Sequence, residues 1–257
     1  MEWWVVALLV LAALVAGWVD AVVGGGGLIQ LPSLLIGMPA DTPVATVSGT
    51  NKVSSAAGTL VATGTYLRKV RVQWAFALPL MAAAFVGSTI GARLVTLMPR
   101  DAFTPVVLVA LIAVGWYTLR RPSLGLHHEV RHGGWRLVAA MLAIGLAIGG
   151  YDGFLGPGTG SFFVIALVAL LGYGFLQASA LAKLANLTTN IAAVAVLWPV
   201  INWHIGLMMA AANLTGGFVG AAMAVRHGNA FVRRVFLVVI VVLGARLAWD
   251  TLALVLR

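Results

Sequence analysis

The sequence contains no cysteine and few acidic side chains. The absence of cysteine excludes disulfide bonds, thiolate catalysis and cysteine metal sites. Only 7 of the 257 residues are Asp or Glu, and charged residues of all kinds make up 9% of the chain, whereas about 25% is usual in a soluble domain. Hydrophobic residues make up 61%. This composition predicts an all-α, polytopic membrane protein.

The sequence also lacks the motifs of common enzyme and nucleotide-binding families. It holds no G-x-S-x-G, H-E-x-x-H or Walker sequence, and its glycine runs do not fit G-x-G-x-x-G. Three histidines, His127, His128 and His132, share a basic hydrophilic loop and are only a weak signal for a metal. We therefore predict that the protein is not an enzyme and that it uses no cofactor and no metal.

Ten apolar segments follow one another along the chain. The first is long enough to cross about 30 Å of hydrocarbon at 1.5 Å per residue. The second and the seventh have only about 11 residues each, too few to cross alone. The segments are predicted at 3–23, 28–38, 44–67, 74–98, 102–119, 136–151, 161–171, 175–198 and 203–225, with a tenth that reaches residue 256.

The chain reads as two similar halves. The first membrane repeat is predicted at 1–119 and the second at 135–257, joined by a basic linker at 120–134. Equivalent residues recur at nearly constant offsets of 129 to 132 positions, which indicates an internal repeat rather than similar composition. The equivalent pairs include Asp20 and Asp152, Gly24 and Gly156, Gly26 and Gly158, Lys52 and Lys183, and Trp74 and Trp203.

Basic residues concentrate in three hydrophilic stretches, at 68–71, 120–136 and 226–234. If each half has five crossings, all three stretches lie on one side, which the positive-inside rule makes the cytoplasm. An odd number of crossings inverts one half relative to the other and places both termini outside. Re-entrant short segments would give four crossings per half and largely remove the charge bias. We therefore predict inverted five-segment repeats, and the net charge of +9 then orients the protein in the lipid bilayer rather than binding nucleic acid.

Glycine interrupts an apolar segment at the same place in each half, at 24–27 and at 156–160. Each glycine destabilises a helix by about 1 kcal/mol relative to alanine, so both helices are predicted to break there. Matching broken helices point to a transporter binding site, and the N-terminus of the following short helix favours an anion. The glycines expected at that site are Gly25, Gly26 and Gly158. The pairs Gly87 and Gly91, and Gly216 and Gly220, predict close helix packing instead.

Two lysines lie inside apolar segments, where each charge costs at least about 2.5 kcal/mol. Each belongs to a polar stripe on one helix face, so we interpret Lys52 and Lys183 as positive charges in an anion pathway between the halves. The alternative is that each lysine pairs with an aspartate, or donates to glycine-loop carbonyls. The expected substrate-binding side chains are Thr50, Asn51, Lys52 and Ser55 in the first half, and Lys183, Asn186 and Asn190 in the second.

The natural partners for the lysines are Asp20 and Asp152, each one turn before its glycine break. We expect any pairing to lie within one half, with Lys52 beside Asp20 and Lys183 beside Asp152. A carboxylate at this place can also cap backbone N–H groups or carry a coupling proton. A structural ion pair and a coupling role both stay open at this point.

The stretches at 16–27, 49–52 and 151–157, together with Ala182 and Lys183, resemble the TauE/SafE family of bacterial membrane transporters. The resemblance spans nearly the whole chain. It implies a multi-pass inner-membrane permease, working without an ATPase subunit, for a small anion such as sulfite, thiosulfate or an organosulfonate. Members are regarded as exporters or uptake permeases, so substrate, direction, coupling ion and oligomeric state stay open.

Together, these features predict a secondary transporter that exports a small sulfur-containing oxyanion. A passive anion channel, with the broken helices lining a continuous pore, is the first alternative, and a permease for another small organic anion is the second. Saturable flux that responds to a proton gradient would distinguish a carrier from a channel.

Overall fold

The computed structural model describes residues 1–99, 103 and 134–255 of the chain. The described residues form helices and one short 3-10 turn, without a β-strand among them, so the predicted all-α fold is confirmed. The predicted fifth segment at 102–119, apart from Phe103, and the histidine loop lie outside the described residues.

The helices follow the predicted segments closely. In the first half they are α1 (Trp3–Val23), α2 (Gly27–Gly37), α3 (Val44–Leu67) and α4 (Trp74–Val95). In the second half they are α5 (Gly134–Phe154), α6 (Thr159–Ala169), α7 (Phe175–Leu197) with the 3-10 turn Trp198–Val200, and α8 (Trp203–Val255).

Both predicted short segments are short helices of 11 residues, α2 and α6. Five helices are long and apolar enough to cross a membrane: α1, α4, α5, α7 with its 3-10 turn, and α8 up to Gly228. The backbone of Gly228 leaves the helical region, with φ of 69°, and this kink separates the predicted ninth and tenth segments. These helices make the chain a multi-pass membrane protein.

The chain doubles back at the first glycine break. A Cβ atom on Gly37, the last residue of α2, would lie 3.1 Å from the side chain of Leu9 in α1. The end of α2 therefore lies beside the first half of α1, and the two helices form a hairpin with the glycines at its tip. The loop after α2 is consequently on the side where α1 begins, as an odd number of crossings requires.

The two halves pack on each other reciprocally. Helix α1 packs on α8 and α5 packs on α4, while α3 contacts α8 and α7 contacts α4. Contacts of Gly216 with Leu14 and of Gly220 with Trp18 make α1 and α8 parallel, and α4 and α5 are parallel in the same way. The inverted arrangement of the halves and their orientation across the membrane stay predictions.

The predicted close packing at the paired glycines is confirmed. A Cβ atom on Gly91 would lie 2.2 Å from the backbone oxygen of Gly150, and one on Gly216 would lie 2.0 Å from that of Leu14. No side chain fits there without moving the backbone, so each pair lets its helix approach the other half.

Two apolar clusters divide the core. Along α3 one cluster includes residues up to Val53, and the other begins at Ala62. The polar segment of α3 lies between the two clusters, beside the equivalent segment of α7. The candidate functional site lies in this polar region.

Candidate functional site

The two glycine breaks contact each other, backbone to backbone. Gly24 ends α1 in the left-handed conformation, with φ of 82°, and its oxygen accepts a hydrogen bond of 3.0 Å from the Ser161 N–H. The Ser161 hydroxyl donates to the Val23 oxygen at 2.9 Å. A Cβ atom on Gly24 would lie 2.2 Å from the carbonyl carbon of Gly160. The tips of the α1–α2 and α5–α6 hairpins therefore meet with no room for a side chain.

The buried lysines pair with aspartates of the opposite half. Lys52 Nζ lies 2.6 Å from Asp152 Oδ2, and Lys183 Nζ lies 2.8 Å from Asp20 Oδ2. Lys183 also donates to the backbone oxygen of Asp20. The predicted pairing within each half is wrong, because the hairpin tips cross and bring each aspartate to the other half's polar helix.

Both ion pairs are largely shielded from solvent, but not equally. The side chains of Lys52, Lys183 and Asp152 are 1–4% exposed, whereas that of Asp20 is 15% exposed. Removing one member of a buried pair leaves an uncompensated charge, which typically destabilises a protein by about 3–5 kcal/mol. The pairs therefore bind the halves together and leave Asp20 as the more accessible carboxylate.

A small polar cavity lies between the halves beside these pairs. Its volume is about 20 Å³, close to the minimum that holds one water molecule. It brings together seven of the residues singled out from the sequence: Asp20, Asn51, Lys52, Ser55, Asp152, Asn186 and Asn190. Backbone from both breaks completes the lining at Gly24, Gly27, Gly156, Thr159 and Gly160.

Other residues expected at the site do not line this cavity. Gly25, Gly26, Gly158 and Lys183 are outside its lining, and Lys183 reaches it only through its partner Asp20. Thr50 faces away, since its hydroxyl donates to Thr46 O and accepts from the Asn202 N–H at 3.1 Å. Thr159 lines the cavity but was not expected. Its signal in the sequence is a polar residue within the second glycine break.

The polar stripes of α3 and α7 face each other across the cavity. Asn190 Nδ2 donates to the Thr59 hydroxyl at 3.5 Å, which joins the stripes at one end. The buried Asn51 Oδ1 has no hydrogen-bond partner among the described residues. Leaving such an atom unpaired costs about 1–3 kcal/mol, so a bound molecule that hydrogen-bonds here would be stabilised.

The Lys52 ammonium also has donors to spare. Among the described residues it makes one hydrogen bond, to Asp152, and an ammonium has three N–H donors. Two N–H groups at the cavity wall therefore have no partner among the described residues. They can bind an oxygen-rich anion without breaking the ion pair.

A buried amide pair distinguishes the two halves. Asn213 Nδ2 donates to Gln30 Oε1 at 2.6 Å, and Gln30 Nε2 donates to the Asn51 backbone oxygen at 3.3 Å. The equivalent positions in the other half are Phe162 and Ala84, which are apolar. Gln30 thus supports the helix turn that carries Asn51, in one half only. Its long amide side chain in a short apolar segment could have indicated it from the sequence.

Comparisons with known proteins cover almost the whole chain. The family described as "Sulfite exporter TauE/SafE" matches residues 9–247. The "Probable membrane transporter protein ORF9" of a Sinorhizobium species is 34% identical over 247 residues, covering 95% of this chain and 92% of the relative. The "Probable membrane transporter protein" of Haemophilus influenzae is 34% identical and covers 95% and 94%. "Probable membrane transporter protein YfcA" of Escherichia coli K12 is 33% identical and covers 95% and 90%. No solved structure matches the chain.

Proposed function

This chain belongs to the TauE/SafE family of membrane transporters, and we propose that it exports a small sulfur-containing oxyanion across the bacterial inner membrane as a secondary transporter. The candidate substrates are sulfite, thiosulfate and small organosulfonates. The observation that carries the proposal is the polar cavity between the halves, where Lys52 presents two N–H donors that have no partner in the described part of the chain.

The chemistry of the cavity suits an oxyanion. An anion needs several hydrogen-bond donors and a nearby positive charge when it leaves water. Lys52 supplies the charge, and Ser55, Asn186 and Asn190 supply neutral donors on the two facing helices. The glycines of the hairpin tips bring backbone close to the same space, so the anion would touch both halves.

The small volume of the cavity favours a carrier over a channel. Its volume of about 20 Å³ is near that needed for a single water molecule, so the halves must separate locally before an oxyanion of several heavy atoms fits. The direct contact between Gly24 and Gly160 also closes the space at the hairpin tips. A site that must open and close around its ligand is a property of alternating access.

The proposal is tested by counterflow into liposomes that contain the purified protein. Vesicles loaded with unlabelled sulfite, thiosulfate, sulfoacetate or taurine are diluted into the labelled compound, and chloride or phosphate loading serves as the comparison. We expect saturable accumulation with at least one sulfur anion and its loss in Lys52→Met. Lys69→Met is the matched control, because Lys69 is exposed in the loop after α3.

Three results would contradict the proposal. Flux that does not saturate would indicate a channel. Equal rates in Lys52→Met and wild type would remove the cavity from the pathway. Counterflow with phosphate but with none of the sulfur compounds would assign a different substrate class.

A further inference from the structure

The charges around the cavity sum to zero. Lys52 and Lys183 are balanced by Asp20 and Asp152, and no other charged side chain of the described residues lines the cavity. A monovalent anion that enters alone therefore leaves one uncompensated negative charge in a low-dielectric interior, which is strongly unfavourable. The anion needs a positive charge to accompany it.

The two aspartates are not equivalent acceptors for that charge. Asp20 lines the cavity and is 15% exposed, whereas Asp152 is 2% exposed. If Asp20 becomes neutral, Lys183 keeps a hydrogen bond to the Asp20 backbone oxygen. If Asp152 becomes neutral, Lys52 loses the carboxylate that is its one partner among the described residues. Neutralising Asp20 is therefore the less disruptive change.

The groups that face Asp20 favour a proton over a metal cation. Lys183 Nζ of α7 is 2.8 Å from Asp20 Oδ2, so a metal ion at that oxygen would meet an ammonium. Helix α3 contributes Lys52 and Tyr66, and the Tyr66 hydroxyl donates at 3.0 Å to the backbone oxygen of Ala21, the residue after Asp20. Helix α5 contributes Asp152. Helices α2 and α6 carry no titratable residue. The described titratable side chains of α8 lie outside the lining: His204, Arg226, His227 and Arg234.

We infer that Asp20 binds one proton for each monovalent anion that binds beside Lys52, so that anion and proton are transported together. The inference rests on the proposed function and adds the coupling ion to it. The proton bonds to Asp20 Oδ2, the contact of Lys183 Nζ with that oxygen is lost, and the charge of Lys183 then offsets the anion. The charges sum to zero again, and the proton leaves with the anion on the other side.

Two consequences follow from this coupling. Anion binding and proton binding strengthen each other by the same factor, so anion affinity rises as the pH falls, by up to about tenfold per pH unit. Transport is electroneutral for a monovalent anion. Export therefore proceeds when the ratio of internal to external anion concentration exceeds the ratio of external to internal proton concentration. That second ratio rises about tenfold for each pH unit by which the outside is more acidic.

The test measures proton and anion movement in the same liposomes. The probes are methanesulfonate, a monovalent anion of a strong acid, and thiosulfate, with a pH-sensitive dye inside the vesicles. We expect wild type to acidify the lumen during methanesulfonate uptake, with one proton per anion, in sodium-free buffer. Asp20→Asn should lose proton-driven methanesulfonate uptake and the pH dependence of methanesulfonate affinity. Asp41→Asn, at an exposed loop position, should behave as wild type.

The outcomes separate the inference from the function on which it rests. Net methanesulfonate uptake in wild type without proton movement, or with a strict sodium requirement, overturns the inference alone. Loss of proton movement in Asp152→Asn but not in Asp20→Asn also overturns it. No counterflow with these two probes or with sulfite, sulfoacetate and taurine overturns the proposed function and the inference with it. If Asp20→Asn does not fold, the proton-to-anion ratio of wild type decides.

Discussion

Lys52 in the first half and Asp152 in the second half form a buried ion pair, with 2.6 Å between Nζ and Oδ2. Lys183 and Asp20 repeat the arrangement in the opposite sense. Each half therefore places an aspartate at its hairpin tip against the lysine of the other half. Any movement that separates the hairpin tips from the polar helices must break or rearrange both pairs.

The pairing of each lysine with the aspartate of the other half predicts which double variants recover stability. Lys52→Met leaves Asp152 as an isolated buried carboxylate and should destabilise the protein by about 3–5 kcal/mol. Adding Asp152→Asn removes that charge and keeps the side-chain shape, so the melting temperature in detergent should return most of the way. The same holds for Lys183→Met with Asp20→Asn.

The control for this prediction combines the wrong partners. Lys52→Met with Asp20→Asn leaves both Asp152 and Lys183 unpaired, so it should melt at a lower temperature than either single variant. If the melting temperature recovered in this combination but not in Lys52→Met with Asp152→Asn, the pairs would form within each half.

Much of the fold could be predicted from the sequence. Hydrophobic segments and glycine runs locate α2 and α6 within two residues, because segment length and helix breaking are local properties. The repeat offsets also identified equivalent residues, and the structure brings Lys52, Ser55, Asn186 and Asn190 to one cavity. The helical spacing of these polar residues was sufficient to predict that they share one site.

The partners across the halves could not be predicted in the same way. The sequence favoured a pair of Asp20 with Lys52 of its own half, whereas the crossing of Gly24 over Gly160 selects Lys183. Similarly, the contact between Gln30 and Asn213 joins residues 183 positions apart. Pairing of this kind depends on how the helices pack, which helix periodicity does not encode.

The crossing of the hairpin tips predicts a strong effect of a single methyl group. Gly24→Ala places a Cβ within 2.2 Å of the Gly160 backbone at a φ of 82°, and the left-handed conformation alone costs about 1–2 kcal/mol for alanine. We expect a lower melting temperature and loss of counterflow. Gly64→Ala is the matched control, since nothing lies within 4 Å of its Cβ position. Equal melting temperatures for both variants would show that the tips do not touch.

The loop charges and the α1–α2 hairpin predict the topology. The loop after α2 should be outside and the basic loop after α3 should be cytoplasmic. Because the chain has no cysteine, Asp41→Cys and Lys69→Cys each introduce one reactive thiol at an exposed position. An impermeant thiol reagent added to whole cells should label position 41 and spare position 69 until the membrane is opened. The reverse pattern would invert the assignment.

The role of Lys52 in anion binding gives the last prediction. Within the described ranges, Lys52 lines the cavity with two N–H donors that have no partner, whereas Lys183 reaches the cavity only through Asp20. Against the background of Asp152→Asn, which removes the destabilising carboxylate, Lys52→Met should weaken anion binding at least tenfold, or about 1.4 kcal/mol. Arginine at position 52 should recover only part of this affinity. Its planar guanidinium is larger than an ammonium, and the cavity of about 20 Å³ leaves it little space. Isothermal titration with the anion that wild type binds best measures the three affinities. Unchanged affinity in the methionine variant, with the fold intact, would mean that the anion is held somewhere other than beside Lys52.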